Sequence, residues 1–222
     1  MSDDSFIREV NEELRSDQMK ALWTRYGMLA VAVAALVIVG TAAYVGYDYW
    51  SSNRANESGD RFAAALQQIE DGNRQEALDA LKQLEEEGFG AYPLLARLRQ
   101  ATLLATGGEA DAAVEEFDAV ASDSSAPQEI RDVARLRAGL LLVDNGSAAD
   151  VAARVETLTG DAHPMRHLAR EALGLAAMKE DRTDEAVTLF EQITNDAAAP
   201  AGVRQRAEVM LELITASGKA NG

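Results

Sequence analysis

Two residue sets in this sequence have types and spacings that suggest chemistry. His163 and His167 lie four positions apart, which on a helix would turn both imidazoles to one side and offer two ligands to a metal. Pro164 stands between them and favours a helix start there, so cap and turn roles are the competing reading, and no third ligand is evident. Arg61, Arg97, Arg135 and Arg170 recur at intervals of 35 to 38 residues. Such a ladder would grip carboxylates or backbone carbonyls of an extended client. Alternatively, each stem lies over apolar neighbours and each guanidinium pairs with an acid of an adjacent helix, among 37 acidic residues. No glycine-rich phosphate loop, HExxH or GxSxG pattern occurs. No acid, base, nucleophile and oxyanion set can be named, so the reading is a non-enzyme without cofactor, metal or small-molecule substrate.

Composition narrows the partners. A net charge of −16 disfavours nucleic acid, which needs a basic face to displace counterions. With no cysteine, disulfides and thiolate sites are excluded and the fold must hold by packing. Abundant Ala and Leu with 4 prolines and 5% aromatics predict an all-α chain.

The elements that must position these residues begin with an anchor. Between Arg25 and Asp48 no residue is charged. About 21 apolar or small residues at about 1.5 Å each give a helix of about 31 Å, the thickness of a bilayer core. Tyr26, Tyr44, Tyr47, Tyr49 and Trp50 lie near its ends, where aromatic belts form. The run is too long, and its lead too mixed in charge, for a cleaved signal peptide. Residues 26–49 therefore read as a transmembrane signal anchor. Residues 1–25 read as a charged cytosolic helical segment, with Phe6, Val10, Leu14 and Leu22 on one face. Arg8, Arg15, Lys20 and Arg25 precede the span and only Arg54 and Arg61 follow closely, which places the N-terminus in the cytoplasm. Ala30/Ala34 and Ala42/Gly46 are small-residue pairs that would admit another membrane helix.

After a linker at residues 50–56 the sequence repeats. QEALDALKQL, DAAVEEFDAV, DVAARVETL and DEAVTLFEQI align on Ala77, Ala113, Val151 and Ala186, at offsets of 36, 38 and 35 residues. Four residues on stand Leu81, Phe117, Val155 and Phe190, and three further stand Leu84, Val120, Leu158 and Ile193. Twelve residues upstream lie Ala65, Ala101, Gly139 and Gly174. All are small, as a close crossing of two antiparallel helices requires. EDGN, TGGE, DNGS and KEDR supply turns within pairs, and Pro93, Pro127, Pro164 and Pro200 mark helix starts between them. Four hairpins are predicted, closed by a helix over 200–216 within a repeat domain of residues 57–217, with 218–222 as a disordered tail.

These positions resemble the tetratricopeptide repeat, a right-handed solenoid of helix hairpins of about 34 residues. The usual early aromatic of the first helix is replaced by the recurring arginines, and the usual late tyrosine by Gln68, Leu104, Leu142 and Ala177. The first helices of the middle units are apolar on more than one side, with Leu94, Leu95 and Leu98 in one and Val133, Leu136 and Leu140 in the next. One side packs in its hairpin. The other stacks on a neighbour or lines a partner groove, with Leu98, Leu136 and Leu140 as candidates.

The stretches SFIREVNEELRSDQMKALWTRYG, PMRHLAREALGLAAMKEDRTDEA and PAGVRQRAEVMLELI further resemble the alphaproteobacterial branch of the YfgM-like ancillary subunits of the Sec translocon. That resemblance implies a single-pass bacterial inner-membrane protein with periplasmic repeats, and Sec channel subunits, periplasmic chaperones or secretory chains as partners. A scaffold for another envelope assembly, such as cytochrome maturation or outer-membrane biogenesis, is the alternative.

Overall fold

The structure is a computed structural model that describes residues 3–218, with side chains at 20, 23–29 and 31–218. All regular structure among the described residues is helical. In chain order the helices are α1 (Asp3–Glu70), α2 (Arg74–Glu87), α3 (Tyr92–Thr106), α4 (Ala110–Ser122), α5 (Gln128–Asn145), α6 (Ala148–Val155, followed by a 3₁₀ turn Glu156–Leu158), α7 (Arg166–Lys179), α8 (Thr183–Thr194) and α9 (Ala201–Ala216). The chain divides into two compact units, Met1–Asn56 and Glu57–Gly222.

The first unit is carried by α1, which is long and apolar enough to cross a membrane. Among the described residues its large apolar side chains face outward, with Met28, Leu36, Val37 and Ile38 each more than half exposed. Arg25 lies 5.7 Å above the Tyr26 ring at one end of this stretch, and Arg54 lies 5.6 Å above Trp50 at the other. Ala34, Ala42 and Gly46 are exposed along the run. The side chain of Ala30 and the face expected from Phe6, Val10, Leu14 and Leu22 lie outside the described residues, as does 219–222. Residues 50–56, expected as a linker, are helical within α1. No proline interrupts them, and Ser51 Oγ donates to Asp48 O at 3.1 Å, so that hydroxyl is satisfied without leaving the helix.

The second unit consists of four hairpins: α1 from Glu57 onward with α2, then α3 with α4, α5 with α6, and α7 with α8, with α9 closing the series. The periodic positions form the core. Ala77, Leu81, Phe117, Val151, Val155, Phe190 and Ile193 are at most 1% exposed. They fall into a chain of small clusters, one per hairpin, each extended by the first helix of the next: Ala96 joins Leu81 and Leu84, Ala134 joins Phe117 and Val120, Ala169 joins Val151 and Val155, and Val203 joins Phe190 and Ile193. Each hairpin therefore buries its apolar stripe only when the next is in place, and α9 does this for α7 and α8.

Three hairpin turns share one solution. Asn73, Glu109 and Arg182 donate N–H to Gln68, Leu104 and Ala177 carbonyls at 2.9 to 3.0 Å, the six-residue closure of a Schellman motif. The residue before each is left-handed: Gly72 (φ 81°), Gly108 (φ 85°) and Asp181 (φ 60°). The turn before α6 differs. There Ser147 Oγ accepts from Asp150 N at 3.1 Å while Ser147 N donates to Asp150 Oδ2 at 3.0 Å, a reciprocal cap. Pro93 lies in the first turn of α3, and Pro127 and Pro200 are the residues before α5 and α9. Pro164 instead falls two residues before α7, within a turn in which His163 N donates to Gly160 O at 2.8 Å.

Candidate functional site

The arginine ladder is built into the seams between hairpins. Arg97 Nε on α3 donates to Glu85 Oε1 near the end of α2 at 2.8 Å, and Gln100 Nε2 donates to the other oxygen, Oε2, at 2.9 Å. Arg135 on α5 holds Asp132 at 2.7 Å and donates to Ala121 O at 3.4 Å, at the end of α4. Arg170 on α7 donates to Thr159 O at 2.8 Å, just past α6, and pairs with Asp161 at 2.5 Å. Each of these side chains reaches back to the C-terminal end of the preceding second helix, whose carbonyls have no intrahelical donor. A further member was not visible in the repeat pattern: Arg204 on α9 donates to Asp196, Ala197 and Ala199 carbonyls at 3.1 to 3.2 Å. It follows Val203 as Arg97, Arg135 and Arg170 follow Ala96, Ala134 and Ala169. Arg61 has no earlier hairpin to clasp; it pairs with Glu57 at 2.8 Å and Glu87 at 3.2 Å.

The histidines are engaged separately. His167 is buried, with Nε2 2.8 Å from Asp196 Oδ2. His163 Nε2 lies 3.3 Å from Asp132 Oδ2, and its Nδ1 accepts from Met165 N at 3.1 Å. A carboxylate only accepts, so each Nε2 carries the hydrogen. Asp196 also accepts from Arg166 Nε at 2.9 Å and Ala198 N at 2.8 Å. The Ala198 amide first, then His167 and Arg166, hold its carboxyl well below the usual range. No group of three or more His, Asp or Glu side chains among the described residues is arranged to hold a metal ion.

The open apolar surface lies between first helices. Val133, Leu136, Leu140 and Leu168, with Thr102 and Ala105, line a cavity of about 470 Å³ across α3, α5 and α7. A second, of about 180 Å³, continues it past Leu98, Leu95 and Phe62 toward α1. Thr102, Phe117, Val133 and Arg137 border both, so the two are one groove. Leu98 is half-buried, Leu136 is 7% exposed and forms its floor, and Leu95 and Leu140 are 38% and 39% exposed on its walls. No acidic residue lines either part. A larger cavity, of about 660 Å³, lies where the α2–α3 and α4–α5 connectors meet. Its charged walls are already satisfied, Arg97 by Glu85 and Asp123 by Ser125 N at 2.8 Å, leaving less for a partner to bind.

Stacked helix hairpins with a groove along their first helices match the tetratricopeptide repeat-like domain family over residues 20–215. The chain belongs to this family. A crystal structure of nearly identical tetratricopeptide-like repeats, from a Podosopora anserina protein designated a kinesin light chain, superposes with a TM-score of 0.57 at 19% identity, covering 74% of this chain and 88% of that one. At that identity the likeness shows the fold alone. Comparison with curated protein sequences finds no significant match. A tetratricopeptide-like fold is a protein-interaction scaffold, and the groove is where this one leaves apolar surface open.

Two groove residues escaped the repeat-wide reading. Arg99 and Arg137 border the groove, and their signal in the sequence is a doubled tetrapeptide, ARLR at 96–99 and at 134–137. Only two of the four units carry it, so a pattern sought in every unit passes it by.

Proposed function

We propose that this protein is a membrane-anchored interaction module of the bacterial inner membrane, ancillary to the Sec translocon. The apolar part of α1 is its single span, with the N-terminus in the cytoplasm and the repeats in the periplasm. The repeat groove takes apolar segments of Sec channel subunits, emerging secretory chains or periplasmic chaperones. The observation that carries this reading is the open groove of Leu95, Leu98, Leu136 and Leu140 along the first helices, on a fold whose periodic core positions are closed by the neighbouring hairpin. The exposed run of α1 and the basic residues before it support the placement. The Sec assignment is supported by the resemblance of the N-terminal and late-repeat stretches.

The mechanism is tethering. A unit fixed beside a channel exit meets its clients at raised effective concentration, so weak contacts suffice and no chemistry is required of it. Ala30, Ala34, Ala42 and Gly46 are the proposed contact with a neighbouring membrane helix. Arg97, Arg135 and Arg170 serve the repeat seams and Arg61 pairs within its own hairpin, leaving partner contact to the groove.

Copurification in mild detergent tests this. Sec channel subunits or periplasmic folding factors should be enriched over an unrelated single-span protein, and Leu98→Glu with Leu140→Glu should reduce that enrichment. Enrichment of another envelope assembly instead would assign the scaffold role, and no enrichment of either kind would reject the proposal.

A further inference from the structure

The doubled ARLR separates two kinds of arginine. Residues two apart on a helix project about 200° from one another, so one arginine of each pair turns toward the seam and the other toward the groove. Arg97 and Arg135 clasp Glu85, Asp132 and the end of α4. Arg99 and Arg137 instead border the groove. Arg99 makes no hydrogen bond or ion pair among the described residues, and its Nε is buried without an acceptor. Arg137 is exposed, and its one side-chain bond is a long one, Nη1 to Thr102 Oγ1 at 3.4 Å. Thr102 lies one helical turn beyond Arg99, so both guanidinium groups converge on the same part of the groove wall.

In a chain of 37 acidic and 21 basic residues, an arginine without a carboxylate needs a reason. Arg74 has Glu109, Arg154 has Asp118, Arg166 has Asp196 and Arg206 has Glu171, while Arg131 and Arg204, which meet no carboxylate, are held by the Gln128 amide and by carbonyls. Around the groove no acid is supplied. Resting on the reading of the groove as a partner site, we propose that Arg99 and Arg137 receive carboxylates of that partner. Its docking element is then an amphipathic segment of another protein, with apolar side chains facing Leu98, Leu136 and Leu140 and Asp or Glu beside them. An apolar floor between two guanidinium groups suits such a segment better than a purely anionic polymer, which would leave the leucines uncovered.

The test uses the full chain in lipid nanodiscs, with empty nanodiscs as baseline. Three fluorescein-labelled probes are titrated by anisotropy: a helical peptide with leucines on one face and glutamates beside them, its lysine-for-glutamate twin, and polyglutamate. The leucine–glutamate peptide is expected to bind best. Arg99→Glu with Arg137→Glu should weaken it at least tenfold and improve the lysine twin, while Arg99→Lys with Arg137→Lys retains most of the binding. Circular dichroism melting confirms that the variants are folded. Equal binding of both leucine peptides overturns the proposal, as does polyglutamate binding equally well. If Leu140→Glu abolishes peptide binding while the double arginine variants do nothing, the groove stands and this inference falls. If Leu140→Glu also changes nothing, the groove reading itself fails.

Discussion

Gly139 on α5 lies directly against Val155 of α6, so that a methyl group added at Gly139 would overlap Val155 Cγ1. The same crossing in the last hairpin puts Gly174 where a methyl would come 2.8 Å from Phe190 Cζ. Both partners are at most 1% exposed. Overpacking of this kind costs about 1–3 kcal/mol, against about 1 kcal/mol that alanine gains over glycine in a helix. Gly139→Ala should therefore lower stability by up to about 2 kcal/mol in denaturant unfolding. Combined with Val155→Ala, it should cost less than the sum of the two single changes, because the second removes the obstructing methyl.

The clasp at the end of α6 makes a different prediction. Arg170 is 7% exposed and bonds the Thr159 carbonyl. Arg170→Gln leaves that acceptor short of a donor and should cost about 1–3 kcal/mol. Arg61, whose side chain is 44% exposed in its ion pairs, should leave the unfolding midpoint almost unchanged when changed to Gln. Neither change should alter peptide binding at the groove. A loss of binding in Arg61→Gln, with melting unchanged, would return the ladder to a client-gripping role.

Acid sensitivity should concentrate at Asp196. Its folded pKa is depressed by the Ala198 amide, His167 and Arg166, whereas an unfolded aspartate titrates near about 3.9. The unfolded state thus binds the proton more readily, and this contribution to stability is complete above about pH 4 and fades as pH falls toward the folded value. Asp196→Asn should be less stable than the parent at pH 7, and the gap should narrow below about pH 4. Unfolding midpoints taken at pH 7, 4 and 3 measure it; a gap that stays constant would contradict the assignment.

The anchor is tested by charge. Leu36 and Val37 are 73% and 61% exposed in the middle of the apolar run. Arginine at each centre position disfavours membrane insertion by about 2.5–3.5 kcal/mol. Leu36→Arg with Val37→Arg should move the protein out of the membrane fraction after carbonate extraction while the melting of the repeat unit is unchanged. Retention of the double variant in the membrane would remove the span from the proposal.

Much of the fold was legible because each repeat position has a single physical demand. Alanine or glycine at the crossings, an aromatic or aliphatic residue at the eighth position of the second helix, and a turn of small and polar residues can be recognised without knowing what lies across from them. Helix boundaries were less legible where other groups hold the chain, as at Pro164, where the His163 amide and imidazole fix a turn ahead of α7. Residues 50–56 look like a linker by composition, yet nothing in them stops a helix. The groove was only half legible. Leu98, Leu136 and Leu140 announce an extra apolar face, but spacing cannot reveal that Arg97 has an acid within reach and Arg99 has none. Arg204 was hidden because α9 has no second helix to complete the repeat pattern around it.

The ties between hairpins are short in sequence. Arg74 meets Glu109 35 residues on, Arg154 reaches back 36 to Asp118, Arg206 reaches back 35 to Glu171, and Lys179 bonds the Val143 carbonyl 36 residues before it. None of these contacts has to wait for a distant part of the polypeptide. Low contact order of this kind favours rapid folding. A chain emerging N-terminus first can settle each hairpin upon the one before it as soon as about 36 more residues have appeared. The repeat unit is thus suited to assembling by stages, sheltering one apolar stripe at a time, with α9 as the step that ends the growth.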